Sequence, residues 1–282
     1  MKYVIFNPKS RNGNNQEIIN SLETIIGEKV ESVVSVLDRE NYLNLLKSLT
    51  KDDALYIVGG DGTLHYFVND IEDGNVEYEV YFYAGGTGND FYRDVKKDSD
   101  TNLIKVNDYI RNLPTVIING VSRKFINGVG FGIDGYCCEK GDELQAKSDK
   151  PVNYAAIAIK GLLFHFKTPG GKVTVDGVTK EYKKIWLAPA MKGRFYGGGL
   201  NIAPEQDRLN PNKTVTSVVW HKSGKVKTLM VFPKAFEGKH VKYKKIMDIV
   251  EGHHIVVEFN RPTPLQIDGE TVSGVTKYEV IA

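Results

Sequence analysis

The sequence predicts two domains. The first is an α/β domain on a mostly parallel, doubly wound sheet, and the second is a mainly β sandwich. Three observations predict this. Up to about residue 95, short apolar runs alternate with segments of helical spacing, the order that builds parallel sheets. Polar, glycine-rich loops follow several of those runs, where doubly wound sheets bind ligands. Beyond residue 114 the pattern changes to alternating runs bounded by Gly, Pro and Asn. The crossing lies near residues 115–125. It gives an α/β domain over 1–120 and a β-rich domain over 121–282, with the extreme C-terminus free to return to the first.

The elements follow in order. "KYVIFN" is a strand ended by Asn7-Pro8. Ile18, Ile19, Leu22, Ile25 and Ile26 recur in helical register over 15–27. "VESVVSVL" is the second strand, and Tyr42, Leu43, Leu45, Leu46 and Leu49 mark a helix over 39–50. "ALYIVGG" is the third strand, leading into a helix through Gly59-Gly60-Asp61-Gly62-Thr63. "YEVYFYAGG" is the fourth, followed by "TGNDFYRDV". In the second domain "PTVIIN", "SRKFING", "GKVTVDG", "KKIWLAPA", "KTVTSVVWH", "HHIVVEFN" and "PLQIDGE" read as strands, and 133–167 reads as helical.

Composition excludes several classes. The chain has 282 residues, net charge +2, 41% hydrophobic and 26% charged residues, which suits a globular protein. No apolar run approaches the roughly 20 residues of a membrane span, and "MKYVIFNPKS" is too short in apolar residues for a signal peptide. The adjacent Cys137 and Cys138 rule out a long disulfide framework and suit a reducing, cytoplasmic setting, with the pair serving as small packing residues. Between His221 and Lys245 stand eight lysines and one glutamate. Such a run is either a solvated face or a patch for anionic lipid headgroups. The apolar stretch Tyr154 to Lys167 is too short to span a bilayer and is expected to pack in a core.

Three loops carry the chemistry. Gly60 to Thr63 opens a helix whose first N–H groups have no partner within the helix, so they can face a phosphate. Asp61 beside a phosphate needs a metal ion, a water network or a proton-bearing partner. The loop is neither a P-loop nor a dinucleotide fingerprint, since no lysine follows Gly62 and the G-x-G-x-x-G spacing is absent. Gly85-Gly86-Thr87-Gly88-Asn89-Asp90 repeats the device, and Asn7-Pro8-Lys9-Ser10-Arg11-Asn12-Gly13 is a third polar loop after strand one. Taken singly, each is also compatible with an ordinary βα turn.

In order along the chain, "NPKS", "GGDGTL" running into "VND", "GGTGNDF", "NGVGFGIDG", "GGGLNIAP" and "IDGE" resemble the diacylglycerol kinase catalytic domain family. These are soluble bacterial lipid kinases related to sphingosine and ceramide kinases, and the resemblance covers nearly the whole chain. GGDGT alone is shared with NAD kinases and phosphofructokinases. The resemblance implies an ATP-binding α/β domain like that of NAD kinase and diacylglycerol kinase, a β-rich lipid-substrate domain, and a cleft between them for the lipid headgroup.

It further implies that Asn7, Pro8, Lys9, Ser10, Arg11, Asn12, Gly13, Gly60, Asp61, Gly62, Thr63, Leu64, His65, Tyr66, Gly86, Thr87 and Asn89 contact ATP. Asp268 would accept the proton of the acceptor hydroxyl. Asp61, Asp90, Asp134 and Glu270 would hold Mg²⁺ through water beside it. Asp207 is the candidate for a structural Mg²⁺. The implied reaction is transfer of the γ-phosphate to a lipid alcohol, diacylglycerol foremost. It would take place on transient visits to the inner membrane surface, with no nucleic-acid partner and with a homodimer as the oligomer.

The chain departs from the family in places. His65-Tyr66 replace Asn-Glu, Asn69-Asp70 replace Asn-Gly, and "EQDRLNPNKT" lacks the Asp-Asp-Gly of many members. Two other functions stay open: a soluble kinase of NAD or of a sugar phosphate on the same fold, against which the Asp268-Gly269-Glu270 motif and the β-rich second domain argue, and a nucleotide- or lipid-binding protein without catalysis, which His65, Tyr66 and the missing Asp-Asp-Gly keep open.

Overall fold

The computed structural model describes residues 1–8, 15–71, 76–85, 89–97, 101–147 and 152–282, with the side chains of 15, 16 and 155 excluded. Of the expected nucleotide contacts, Lys9, Ser10, Arg11, Asn12, Gly13, Gly86 and Thr87 lie outside the described residues. The chain forms two compact units, Met1–Leu113 and Pro114–Ala282.

In the first unit β1 (Lys2–Phe6), α1 (Asn15–Ile26), β2 (Ser32–Ser35), α2 (Arg39–Ser48), β3 (Ala54–Gly59), α3 (Asp61–Asp70), β4 (Glu79–Ala84), α4 (Asp90–Val95), β5 (Leu103–Lys105) and α5 (Asn107–Ile110) follow one another. The sheet order is β2-β1-β3-β4-β5. Pairing is parallel from β2 to β4, and β5 joins antiparallel. Central strands of such a sheet are covered on both faces, so they read as continuous apolar runs. In β3 the chain buries Leu55, Tyr56, Ile57 and Val58 without alternation. On one face Val4, Tyr56 and Val58 pack on Ile18, Ile19 and Leu22 of α1. The strand order reverses between β1 and β3, the crevice where doubly wound sheets bind ligands. Since β1, β3 and β4 are parallel neighbours, the residues that follow each of them share one sheet edge.

The second unit is β-rich. It contains β6 (Thr115–Ile118), β7 (Val121–Lys124), β8 (Gly128–Phe131), α6 (Ile133–Gln145) and α7 (Tyr154–Lys160), which continues into a π-helical turn (Gly161–His165). Next come β9 (Gly171–Val175), β10 (Val178–Tyr182), β11 (Ile185–Leu187), β12 (Ala190–Met191), β13 (Phe195–Tyr196), β14 (Leu200–Asn201) and β15 (Val215–His221). Then α8 (Lys225–Ala235), a 3-10 turn (Lys239–Lys242), β16 (Met247–Gly252), β17 (His254–Ile267) and β18 (Glu270–Ile281) complete the chain.

The long antiparallel hairpin β17–β18 organises this unit. β8 and β9 pair with β17, and β6 pairs with β18. Its core includes Phe131 stacked on Phe259 at 3.9 Å, with Tyr278 edge-on at 5.8 Å. A second apolar cluster joins Ile133, Leu162, Phe166, Trp186, Trp220 and Val231 under the helices.

The sequence reading names no strand at β8, β10, β13, β14, β16 or β18, and other elements depart from it as well. "PLQIDGE" is no separate strand: Pro264 to Ile267 is the end of β17, which shifts register where Arg261 and Pro262 interrupt its pairing. β5, of only three residues, carries too short a pattern to be read. α8 lies in the lysine-rich segment read only as a charged run. Its apolar residues do not recur on the buried face alone, so helical periodicity is masked.

Candidate active-site residues in the two units

In the first unit β3 ends at Gly59 and Gly60 precedes α3. The backbone N–H groups of Thr63 and Leu64 donate to Gly60 O at 3.0 and 3.2 Å, closing the first turn. Thr63, Leu64 and His65 turn inward and are buried, whereas Tyr66 is 44% exposed. A ligand at this helix start would therefore meet mainly backbone from Asp61 and Gly62. The side chain of Asp61 reaches the next loop. Its Oδ2 accepts the Asp90 N–H at 2.7 Å and its Oδ1 accepts the Phe91 N–H at 3.0 Å. These belong to the first turn of α4, whose donors need an outside acceptor. Asn89, at φ 45°, provides no side-chain cap there. Asp61 thus caps α4 from another element, and with the Gly85 N–H to Gly59 O bond of 2.8 Å it ties the β3 and β4 loops together. Asp90 itself is buried. Asp70, where the family has glycine, receives two bonds of 2.8 Å from the Arg39 guanidinium and links α2 to α3.

In the second unit Asp268 and Gly269 form the two-residue tip of β17–β18, with Ile267 paired to Glu270. Their φ angles are 50° and 100°. Two positive values are the pattern of a type I′ hairpin turn, for which Asp-Gly is a preferred pair. The turn is not the whole role of Asp268. Its Oδ1 accepts the N–H groups of Asn127 (2.8 Å) and Gly128 (3.0 Å), and its Oδ2 accepts that of Ile126 (2.8 Å). The Asp268 N–H in turn donates to Gly128 O at 3.0 Å. Gln266 Oε1 accepts the Gly269 N–H at 2.8 Å and braces the same turn. Glu270 is partly buried at the start of β18.

The segment that holds Asp268 is itself held by Arg208. This guanidinium, 7% exposed, donates to Ile126 O and, at 2.6 Å, to Asn127 Oδ1. Arg208 lies in "EQDRLNP", where many relatives carry Asp-Asp-Gly, and the sequence offered no signal for its role. Next to it Asp207 is exposed, and its Oδ1 accepts the Leu209 N–H at 2.9 Å in a local turn.

Asp134 starts α6. Both its oxygens are sealed from solvent although the residue as a whole is only part-buried. Its polar neighbours are its own N–H, the Gly135 N–H, the Tyr196 hydroxyl and the Gln266 amide. None reaches the geometry of a formed hydrogen bond. A Cβ on residue 130 would fall on this carboxylate and 2.6 Å from Gln266 Nε2, so Gly130 makes room for both. Burial pushes the Asp134 carboxyl up to about 6. Burial, with Asp134 nearby, also pushes the Cys137 thiol up to about 12 and raises that of Cys138. Neither is a thiolate at neutral pH.

Among the described residues no group of three His, Cys, Asp or Glu side chains converges as a metal site. A Mg²⁺ that arrives on nucleotide phosphates needs only one or two carboxylates and keeps several waters. Asp61, whose carboxylate meets the Asp90 N–H in the first unit, fits that demand.

Two outcomes follow from these contacts. Arg208→Met strips charge-assisted partners from two buried acceptors and is expected to lower the unfolding free energy by roughly 3 kcal/mol, with Arg208→Lys recovering part of it. Urea unfolding of the three proteins measures this, and equal midpoints would mean the bonds contribute nothing. For Asp134, the folded chain keeps its proton up to about pH 6, whereas the unfolded chain loses it near 3.8. Stability from this group is therefore full below pH 3.8 and is lost as pH rises through 6, by about 3 kcal/mol in total. In metal-free buffer Asp134→Asn is expected to lose that decline. Parallel pH–stability curves for the two proteins would contradict the assignment.

Comparison with known proteins places the chain in a family. Residues 2–121 match the model of the diacylglycerol kinase catalytic domain. Residues 127–280 match the YegS C-terminal NAD kinase beta sandwich-like domain. A Bacillus subtilis (strain 168) protein named "Putative lipid kinase YtlR" is 25% identical over 99% of this chain and 95% of its own length. A Mycobacterium tuberculosis protein named "Diacylglycerol kinase" is 23% identical over 69% of this chain and 63% of its own. A solved structure described as a "putative diacylglycerol kinase" from Bacillus anthracis str. Sterne superposes with a TM-score of 0.70 at 19% identity, covering 99% of this chain and 91% of that one. This chain, with an α/β unit of the catalytic-domain type and a β-rich unit of the YegS type, belongs to the diacylglycerol kinase family of lipid kinases.

Proposed function

We propose that this protein transfers the γ-phosphate of ATP to the hydroxyl of a lipid alcohol, diacylglycerol above all, to give phosphatidic acid. The observation that carries the proposal is Asp268: a carboxylate at a hairpin tip, aimed by three backbone N–H groups rather than left free to rotate. Phosphoryl transfer passes through a loose transition state, so the protein's task is positioning and charge compensation more than covalent chemistry. A fixed carboxylate that accepts the acceptor hydroxyl's proton meets that demand.

On the nucleotide side, the start of α3 at Asp61 and Gly62 would offer backbone N–H groups to the phosphates. Asn7 and Asn89 follow β1 and β4 on the same sheet edge. Asp61 is a positioning residue here, since its capping of α4 fixes two of these loops relative to each other. Mg²⁺, when bound, would neutralise phosphate charge. Asp61 and Asp90 in the first unit, and Asp134 and Glu270 in the second, are the candidate side chains for ordering water on Mg²⁺. Names of relatives support diacylglycerol: one is called a diacylglycerol kinase. The protein would reach this substrate by transient contact with the membrane. Among the described residues no helix is long and apolar enough to cross one.

Transfer of label from γ-labelled ATP to acceptors in mixed micelles tests the proposal. Diacylglycerol, ceramide, sphingosine, polyprenol and, in solution, NAD form the panel. Label in phosphatidic acid above all other products is expected. Label in another lipid phosphate keeps the lipid kinase and removes diacylglycerol. Label in NAD alone, or saturable ATP binding with no transfer to any acceptor, overturns it.

A further inference from the structure

α8 carries apolar residues on both of its faces. Its buried residues Thr228, Val231 and Ala235 recur at i, i+3 and i+7 and face the unit's core. The opposite face should then be polar. Instead Val226, Met230 and Pro233 recur there at i, i+4 and i+7, with Val226 72% and Met230 62% exposed. Lys227 and Lys234 flank this outward apolar stripe. The π-helical turn after α7 packs against α8, and Lys225 Nζ donates to Leu163 O at 2.6 Å. That turn also places an apolar side chain in water: Phe164 is 73% exposed. Ile159, from α7, and Phe236, just past α8, are exposed as well.

Along the two segments that carry these side chains the charge has one sign as far as Phe236; Glu237 then follows and pairs with Lys239. No Asp or Glu occurs from Val152 to Val175 or from His221 to Phe236, whereas Lys160, Lys167, Lys222, Lys225, Lys227 and Lys234 do. Two copies of such a surface would repel each other, which argues against a homodimer through it. Large exposed apolar residues ringed by lysines suit an interface that is apolar inside and anionic at its boundary.

We infer that the outward face of α8, with Phe164 of the adjoining turn, docks this protein on an anionic lipid bilayer. Val226, Met230 and Phe164 enter the acyl region, and Lys227 and Lys234 lie among the headgroups. Insertion of a few apolar side chains with basic neighbours gives reversible attachment, which suits an enzyme that visits a surface. The inference rests on the lipid-kinase reading for its biological purpose, but its physical content is independent of catalysis.

The test is co-sedimentation of the full chain with phosphatidylcholine vesicles, with and without phosphatidylglycerol. Wild type is expected to bind the anionic vesicles about tenfold or more tightly than the neutral ones. Val226→Ser/Met230→Ser and, separately, Phe164→Ser are expected to weaken binding about tenfold. Lys227→Glu/Lys234→Glu is expected to abolish the anionic preference. All these residues are exposed, so thermal unfolding should match wild type and separate lost docking from lost folding. Transfer to a water-soluble short-chain diacylglycerol, without vesicles, should be equal in all variants. Wild-type inactivity on that acceptor would count against the lipid-kinase reading and leave the docking result to stand by itself. Vesicle binding unchanged by the substitutions overturns the inference. So does a fall in the protein's own oligomeric mass on substitution, which would make the face an interface between copies.

Discussion

The Asp268 carboxylate, gripped by the N–H groups of Ile126, Asn127 and Gly128, is the contact on which the candidate chemistry depends. It joins residues about 140 positions apart and fastens the tip of the β17–β18 hairpin to the start of β8. Hydrogen bonds to an ionised acceptor are stronger than neutral ones, and three of them leave the side chain little freedom. The cradle is stiffened from behind. Arg208 takes the Ile126 carbonyl and the Asn127 side chain, and the N–H groups of Lys192 and Gly193 bond Asn127 O. The polar groups of this segment therefore have protein partners on several sides. A carboxylate so fixed is suited to hold a hydroxyl in line, which is the larger part of what phosphoryl transfer asks of a side chain.

The first unit uses the same device for a different purpose. Asp61 looked like a charge in need of a counter-ion, and its oxygens instead accept the N–H groups of Asp90 and Phe91. A carboxylate can accept these and still orient water through its remaining lone pairs. Asp134 is the opposite case. Its oxygens are buried with no well-formed bond, which raises its pKa and costs stability at neutral pH. Groups held at such a cost are common where function requires them.

Much of this was legible in the chain. β1 to β4 stand out because central parallel strands are apolar throughout, and the glycine loops stand out because few other sequences leave a strand that way. By itself Asp268-Gly269 is a common turn pair, and only the resemblance made it a site; it is a turn whose side chain reaches across to β8. What stayed hidden has physical causes. The partners of Asp268 are backbone groups, which no residue identity encodes. Arg208 sits in a polar loop where an exposed arginine would look identical. α8 escaped notice because its solvent face carries Val226 and Met230, so the periodicity that marks an amphipathic helix is lost. That same anomaly is what makes its outer face a candidate for docking.

The most direct measurement is phosphoryl transfer by Asp268→Asn, with ATP binding followed calorimetrically on the same protein. The amide keeps the size of the carboxylate but cannot take up a proton. Transfer is expected to fall by roughly 10²–10⁴ while ATP affinity stays close to wild type; because the amide nitrogen must face a backbone N–H, circular dichroism on the same protein checks that the fold persists. Turnover near the wild-type rate, with ATP bound as before, would contradict the role given to Asp268.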